Sequence, residues 1–369
     1  MSHVNKYLRN FKQYKVASHN IWTVTQEERK RILKLDWNES TIGPSPKVRE
    51  RLLKLFDKEC FFNLYPSTYN SELYDRLSNY VGLPKTNIQY FASSDSLHEY
   101  VAKLFISVGD PVVILWPSYD NFRLTAEVSG GHIYYFNYND DFTFDEQKFI
   151  EFIEKVDASL VYICNPNNPI GYLHPNTFIL NLLDNFPETM FLADEAYFEF
   201  TSPKTTCADY VLEYNNLLVS RTMSKAFGIA NFRFGYLLAN EKNISYISAI
   251  RNPKNITTFA QEAAIAVLDD VQYMDNYVEE VNFSKEYFIR EMRELKKFGV
   301  FDSAANYVMI KLPSFEEKIK LFDYLKSFNI FVRPISQSQS VMNCLRITIG
   351  TRKQMEIVVN VIKNFYGKI

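Results

Sequence analysis

Glycine is scarce in this chain, with 11 residues among 369, and cysteine is scarcer still, at four. Cys60, Cys164, Cys207 and Cys344 are far apart and form no C-x-x-C pair, which argues against a disulfide framework or a metal site. Reduced thiols in a cytoplasmic protein are the expectation. The formal net charge is −2, so bulk electrostatics recruit neither nucleic acid nor anionic lipid. No apolar run approaches membrane-spanning length, and residues 1–6 lead into a polar stretch rather than an apolar signal region. Internal repeats and low-complexity linkers are absent as well. What the chain has in plenty is apolar surface to bury: 47% hydrophobic residues, with 25 Tyr and 30 Phe. That suffices for one large domain and a smaller one.

From about residue 87, short apolar runs alternate with longer amphipathic ones, the pattern of a mostly parallel sheet crossed by helices. Seven strands are predicted, at Ile88–Phe91, Val112–Leu115, Ile133–Phe136, Leu160–Cys164, Met190–Ala193, Leu217–Ser220 and Phe234–Leu238. Helices are predicted between them at Leu97–Ser107, Asn121–Ser129 and Glu146–Lys155. Beyond residue 255, Met274, Tyr277, Val281, Phe288, Met292 and Leu295 fall at helical spacing and predict one long helix. Strands at Tyr307–Ile310, Phe331–Arg333 and Leu345–Ile349 and a helix over Phe315–Phe328 then predict a small α/β domain. A last helix is opened by the capping-box pair Thr351 and Gln354. The expected division is an N-terminal arm over 1–42, a large domain over 43–254, and a connecting helix with the small domain over 255–369. The arm is expected to pack on the small domain or on a partner.

Chemistry-bearing residues cluster at the ends of the predicted strands. Lys225 lies in Arg221-Thr222-Met223-Ser224-Lys225-Ala226-Phe227-Gly228, just past a strand, where its amine could hold an aldehyde as a Schiff base and shuttle a proton. Asp194 ends the apolar run Met190–Ala193; a carboxylate there can keep a pyridine nitrogen protonated. Tyr197 and Asn168, the latter in the rigid loop Asn165-Pro166-Asn167-Asn168-Pro169-Ile170-Gly171, can reach a ring hydroxyl. Ser93-Ser94-Asp95-Ser96 opens a helix and, with Ser224 and Arg233, forms a cup for a phosphate. Tyr119 can stack on a ring face. Singly, each has an ordinary explanation as a cap, a turn or a core residue. Jointly they meet the needs of pyridoxal phosphate.

At these positions the chain resembles the fold-type I pyridoxal-phosphate aminotransferases of class I/II, and most closely the histidinol-phosphate aminotransferase branch. The resemblance runs from Leu35-Asp36-Trp37-Asn38-Glu39-Ser40 and Gly43-Pro44-Ser45-Pro46, through Tyr65-Pro66 and Pro117-Ser118-Tyr119, to Val332-Arg333-Pro334 and Leu345–Gly350. It implies a large domain with a mostly parallel seven-stranded sheet and a smaller C-terminal α/β domain. It also implies that Lys225 carries the Schiff base, Asp194 the ring nitrogen, and Asn168 and Tyr197 the ring hydroxyl. Ser94, Asp95, Thr222, Ser224 and Arg233 would surround the cofactor phosphate, with Tyr119 against the ring. Tyr65 would reach the cofactor of a neighbouring subunit, which implies a homodimer. Arg346 would clamp a substrate carboxylate and Arg333 a distal phosphate, with Asn38 and Tyr14 also on the substrate side.

The pattern departs from the family where substrate should sit. A glycine-rich stretch between the two arginines is replaced by Ser336-Gln337-Ser338-Gln339-Ser340, a Tyr-x-Pro-Gly segment reads Tyr14-Lys15-Val16-Ala17, and Lys254 stands where an aromatic is common. These departures point to a phosphorylated substrate other than histidinol phosphate, such as a small phosphorylated ketone, with glutamate as the amino donor. The alternative is a decarboxylase of an O-phosphorylated amino acid, which shares the fold and the pattern. A ligand sensor built on the same fold would carry an added DNA-binding domain, and the first forty residues contain no basic helix-turn-helix.

Overall fold

The computed structural model describes residues 21–58, 62–202 and 204–367; Tyr14 and Cys60 lie outside them. Among the described residues, twelve strands form two sheets. The large sheet contains β2 (Ile88–Phe91), β3 (Pro111–Trp116), β4 (His132–Asn137), β5 (Leu160–Cys164), β6 (Met190–Asp194), β7 (Leu217–Thr222) and β8 (Gly235–Ala239), in the order β2-β8-β7-β6-β5-β3-β4. β8 pairs antiparallel with both β2 and β7; the other pairings of this sheet are parallel. The seven predicted strands and the α/β class are therefore present, each strand within two residues of its predicted ends. Every residue of β5, β7 and β8 is buried, because helices cover both faces, so these strands read as continuous apolar runs rather than alternating ones.

The smaller sheet holds β1 (Leu33–Leu35), β9 (Gly299–Val300), β10 (Tyr307–Lys311), β11 (Ile330–Pro334) and β12 (Cys344–Thr348), in the order β1-β11-β12-β10-β9. The N-terminal segment thus enters this sheet through β1, parallel to β11. Periodicity gives no warning of β1 or β9, which are three and two residues long. The long helix is Val271–Glu294, preceded by a separate helix, Thr258–Leu268, that is apolar almost all round and has no amphipathic stripe to read. Gln354 Oε1 accepts from Thr351 N at 2.8 Å and opens the last helix, Arg352–Gly367. Among the described residues no helix is long and apolar enough to cross a membrane.

Sheet order decides where chemistry can occur. β7, β6 and β5 lie side by side and parallel, with Cys164 opposite Asp194 and Asp194 opposite Ser220. Their carboxyl ends therefore place the loop 165–171, the segment 194–197 and the segment 222–228 on one edge, where ligands of open α/β sheets bind.

The loop is held from within. Asn165 accepts from His174 N at 2.8 Å and donates to His174 O at 3.0 Å, while Tyr307 on β10 donates to Asn167 O at 2.6 Å. The His174 ring is wholly buried among Phe144, Tyr172 and Phe178, with Nε2 2.8 Å from the Tyr138 hydroxyl. Burial pulls this imidazole down to about 3. An unfolded histidine titrates near 6.5, so between about pH 6.5 and 3 the unfolded chain holds the extra proton and stability falls as pH falls, by an amount on the order of 4 kcal/mol. We predict that His174→Phe, compared with wild type by urea unfolding at pH 7 and pH 5, loses markedly less stability over that interval. Equal losses would show that His174 is not an acid-sensitive residue of the fold.

Candidate active site

A cleft of about 1380 Å³ lies between the carboxyl edge of the large sheet and the small sheet. It is lined by Asn38, Ser94, Asp95, Tyr119, Asn168, Asp194, Tyr197, Thr222, Ser224, Lys225, Arg233, Arg333 and Arg346, so the predicted constellation converges there. Tyr65 is the exception among the described site residues: it is 79% exposed, outside the cleft lining, with Lys254 Nζ 4.8 Å from its ring centroid.

Lys225 follows β7 and a turn in which Thr222 Oγ1 donates to Ser224 Oγ at 2.9 Å and accepts from Ser224 N at 3.2 Å. Its amine donates to the Trp37 carbonyl at 2.9 Å while staying open to the cleft. Protein surrounding the amine, and then the neighbouring Arg346 guanidinium, pull it down to about 8. The amine is therefore neutral and nucleophilic in mildly alkaline solution, as covalent capture of an aldehyde requires.

Asp194 ends β6 and is 3% exposed. Its Oδ2 accepts from the Tyr162 hydroxyl at 2.7 Å and its Oδ1 from Ser220 at 3.2 Å. Burial and the nearby Asp194 charge keep Tyr162 well above the ordinary tyrosine range, so it remains a donor.

Four chain segments meet at the Tyr197 phenol. Asn38 Nδ2 donates to it at 3.0 Å and Asn168 Nδ2 at 3.2 Å, while Asn168 Oδ1 accepts from Arg346 at 2.6 Å and Asn38 Oδ1 from Thr348 at 3.1 Å. These partners fix both amide orientations. With two donors on the oxygen, the phenol's own hydrogen is directed away from them, and Tyr197 lines the cleft. Burial holds its hydroxyl well above the usual range.

The anion cup is built on the helix Ser94–Phe105, whose cap Ser93 has φ 90° and accepts from Ser96 N at 3.3 Å. Asp95 accepts from Tyr119 at 2.8 Å, from Asn121 at 3.1 Å and from Arg233 at 3.0 Å, which draws Arg233 against the helix start. Gly235 lies beneath: a Cβ there would stand 2.5 Å from Ser94 N and 2.7 Å from Ser93 C. Only a residue without a side chain lets β8 run this close to the exposed N–H groups.

A helix N-terminus with hydroxyls and an arginine suits a phosphate, and the cleft adds a buried carboxylate, an outward phenol and a depressed lysine. That donor set matches pyridoxal phosphate group by group. Periodicity and spacing do not reveal Trp37, Tyr162, His98, Ser220 or Gly235 as part of this site. Tyr162 reads as one of many core aromatics, and Trp37 meets Lys225 through its backbone carbonyl. Gly235 could have been flagged as a rare glycine opening a strand.

The fold and site define a fold-type I pyridoxal-phosphate enzyme. The sequence profile of the aminotransferase class I and II family matches residues 30–362, and the chain belongs to that family. It is similar to a dihydroxyacetone phosphate transaminase of Campylobacter jejuni, at 40% identity covering 99% of this chain and 97% of that protein. It is also similar to a histidinol-phosphate aminotransferase of Ruminiclostridium cellulolyticum, at 34% identity covering 89% and 91%. A solved histidinol-phosphate aminotransferase from Sinorhizobium meliloti, in complex with pyridoxal-5′-phosphate, superposes with a TM-score of 0.87 over 99% of both chains, at 24% identity. The protein is a pyridoxal-phosphate-dependent aminotransferase near the histidinol-phosphate branch.

Gly235→Ala is expected to push the helix start away from β8, destabilise the protein by about 1–3 kcal/mol, and weaken cofactor binding by roughly tenfold or more. Fluorescence titration of the apoprotein with pyridoxal phosphate, alongside thermal unfolding, checks both. Unchanged affinity would remove the helix start from the phosphate site.

Proposed function

We propose that the enzyme transfers the amino group of glutamate to a small phosphorylated ketone, with histidinol-phosphate chemistry as the narrower neighbour of that activity. The observation that carries this reading is the pair Arg333 and Arg346, direct partners on the antiparallel strands β11 and β12, both lining the cleft that holds Lys225. Two guanidinium groups facing one cleft suit a substrate that brings a carboxylate in one half-reaction and a phosphate in the other. The relatives support the same reading: one is named for a small phosphorylated ketone and the other for histidinol phosphate.

Bound pyridoxal phosphate supplies an aldehyde and an electron-accepting ring that acidify the Cα–H bond of an attached amino acid. Asp194 would face the ring nitrogen and favour a proton there, its negative charge sustained by Tyr162 and Ser220. Tyr197, whose oxygen accepts from Asn38 and Asn168, would direct its O–H to the ring hydroxyl. The Lys225 amine would take the proton from the substrate Cα and deliver it to the former aldehyde carbon, running the reverse in the second half-reaction, a role suited to a group lowered to about 8. Arg346 orients the carboxylate of glutamate, and Arg333 holds the phosphate of the acceptor. 2-Oxoglutarate leaves after the first half, and the ketone takes the amino group in the second.

Phe62, Leu64 and Tyr65 are three exposed apolar side chains in one short segment, which supports a homodimer in which Tyr65 reaches the partner's phosphate site. The buried free thiols of Cys164, Cys207 and Cys344 support a reducing, cytoplasmic setting.

The test is to supply L-glutamate with either dihydroxyacetone phosphate or imidazole-acetol phosphate and to measure 2-oxoglutarate. Formation with the former at the higher kcat/KM is expected. Lys225→Ala should lose activity by roughly a thousandfold or more. Arg333→Gln should raise the KM of the phosphorylated ketone by roughly tenfold and leave the glutamate half-reaction near wild type. Release of carbon dioxide from phosphothreonine without 2-oxoglutarate formation would replace this reading with a decarboxylase.

A further inference from the structure

His98 is one of five histidines in the chain, its ring is 0% exposed, and no step described above uses it. It stands on the second turn of the helix Ser94–Phe105, the helix whose first turn forms the anion cup. Its Nε2 lies 3.0 Å from Ser220 Oγ and 4.0 Å from Asp194 Oδ2. Ser220 Oγ in turn donates to Asp194 Oδ1 at 3.2 Å.

The direction of these bonds follows from the hydrogens available. Ser220 has one hydroxyl hydrogen, and an ionised Asp194 can only accept, so that hydrogen points to Asp194. Ser220 Oγ must then accept from His98, which places a proton on Nε2. The other ring nitrogen agrees. Nδ1 is buried without a hydrogen-bond partner among the described residues. A proton there would be a buried donor without an acceptor, an arrangement native interiors avoid. The ring packs edge-on against Phe122, with centroids 5.6 Å apart, and against Tyr162, at 5.8 Å. The titratable groups facing it are Asp194 on β6 and Tyr162 on β5, both already bonded to each other.

We infer that His98 is a positioning residue that acts through Ser220 to hold negative charge on Asp194, and so sets how firmly Asp194 keeps a proton on the cofactor ring nitrogen. This rests on the aminotransferase reading and deepens it. The relay makes one helix serve both ends of the cofactor: its N-terminus faces the phosphate cup and its second turn supports the carboxylate at the ring. A core histidine placed only for packing would need neither the Ser220 bond nor its direction.

The experiment uses the holoenzyme. His98→Leu keeps an apolar side chain of similar bulk in the nest, His98→Gln keeps an N–H donor, and Ser220→Ala removes the middle link. The readouts are the pH midpoint of the cofactor's visible band, kcat and KM for glutamate, and thermal unfolding. A ring nitrogen that shares its proton more with Asp194 leaves the attached Lys225 nitrogen more basic. His98→Leu should therefore move the midpoint upward by roughly half a unit or more and lower kcat by roughly fivefold with KM little changed. His98→Gln should restore most of both. In the Ser220→Ala background, His98→Leu should add nothing further, since the two residues form one chain. A midpoint and kcat unmoved by His98→Leu, with only thermal stability lost, would overturn the inference and leave His98 a packing residue. Effects of His98→Leu and Ser220→Ala that simply add would overturn it as well. A wild-type protein with no visible cofactor band would instead sink the aminotransferase reading, and this inference with it.

Discussion

A carboxylate at the end of a central strand, closed off from water, is the constraint around which this protein is arranged. Removing an ionised carboxylate from water is unfavourable by several kcal/mol unless its oxygens are hydrogen-bonded. Asp194 meets that need with the phenol of Tyr162 from β5 and the hydroxyl of Ser220 from β7, one neighbour on each side. The parallel order β7-β6-β5 makes both available: Ser220 stands opposite Asp194, and Tyr162, opposite Leu192, reaches it from two residues earlier. It also places the Lys225 segment on the same edge. Immediately behind, Glu195 pairs with Arg221 at 2.9 Å, both side chains buried, and Glu195 also accepts from Cys207 N and Thr206. That pair ties β6 to β7 at the residues that follow Asp194 and precede Thr222, so loss of either partner would loosen the catalytic edge.

The second organising feature spans the two sheets. Arg346 on β12 holds Asn168 on the large-sheet loop; Asn168 and Asn38 both donate to Tyr197; and Asn38 is held by Thr348, again on β12. Asn38 adopts φ 58°, a left-handed conformation that asparagine tolerates better than most residues. The guanidinium proposed to hold substrate is therefore bonded to the same amide that donates to Tyr197. Substrate side and cofactor side form one hydrogen-bonded unit, and its geometry depends on how the small sheet sits on the large one.

Much of this was legible in the sequence, for identifiable physical reasons. Strands buried on both faces appear as uninterrupted apolar runs, so β5, β6 and β7 stand out, and chemistry-bearing residues just past such runs fall on one edge of a parallel sheet. That logic reached Lys225, Asp194, Asn168, Tyr197 and the Ser94–Asp95 helix start without any structure. It fails where information lies in contacts between distant segments. The three-residue β1 has no pattern of its own and exists through its pairing with β11. His98, Tyr162 and Ser220 are 122 residues apart at the extremes, and each taken singly is an ordinary core residue. Gly235 has meaning only once Ser94 is known to cross it. Trp37 contributes a backbone carbonyl, which no residue type announces.

Everything at this edge of the sheet turns on Lys225 being the residue that joins the cofactor. Borohydride reduction of the purified holoenzyme, followed by peptide mass mapping, tests it directly. A single stable phosphopyridoxyl adduct is expected, on the peptide carrying Lys225. An adduct on another lysine, or none on a protein that nonetheless transfers amino groups, would contradict it.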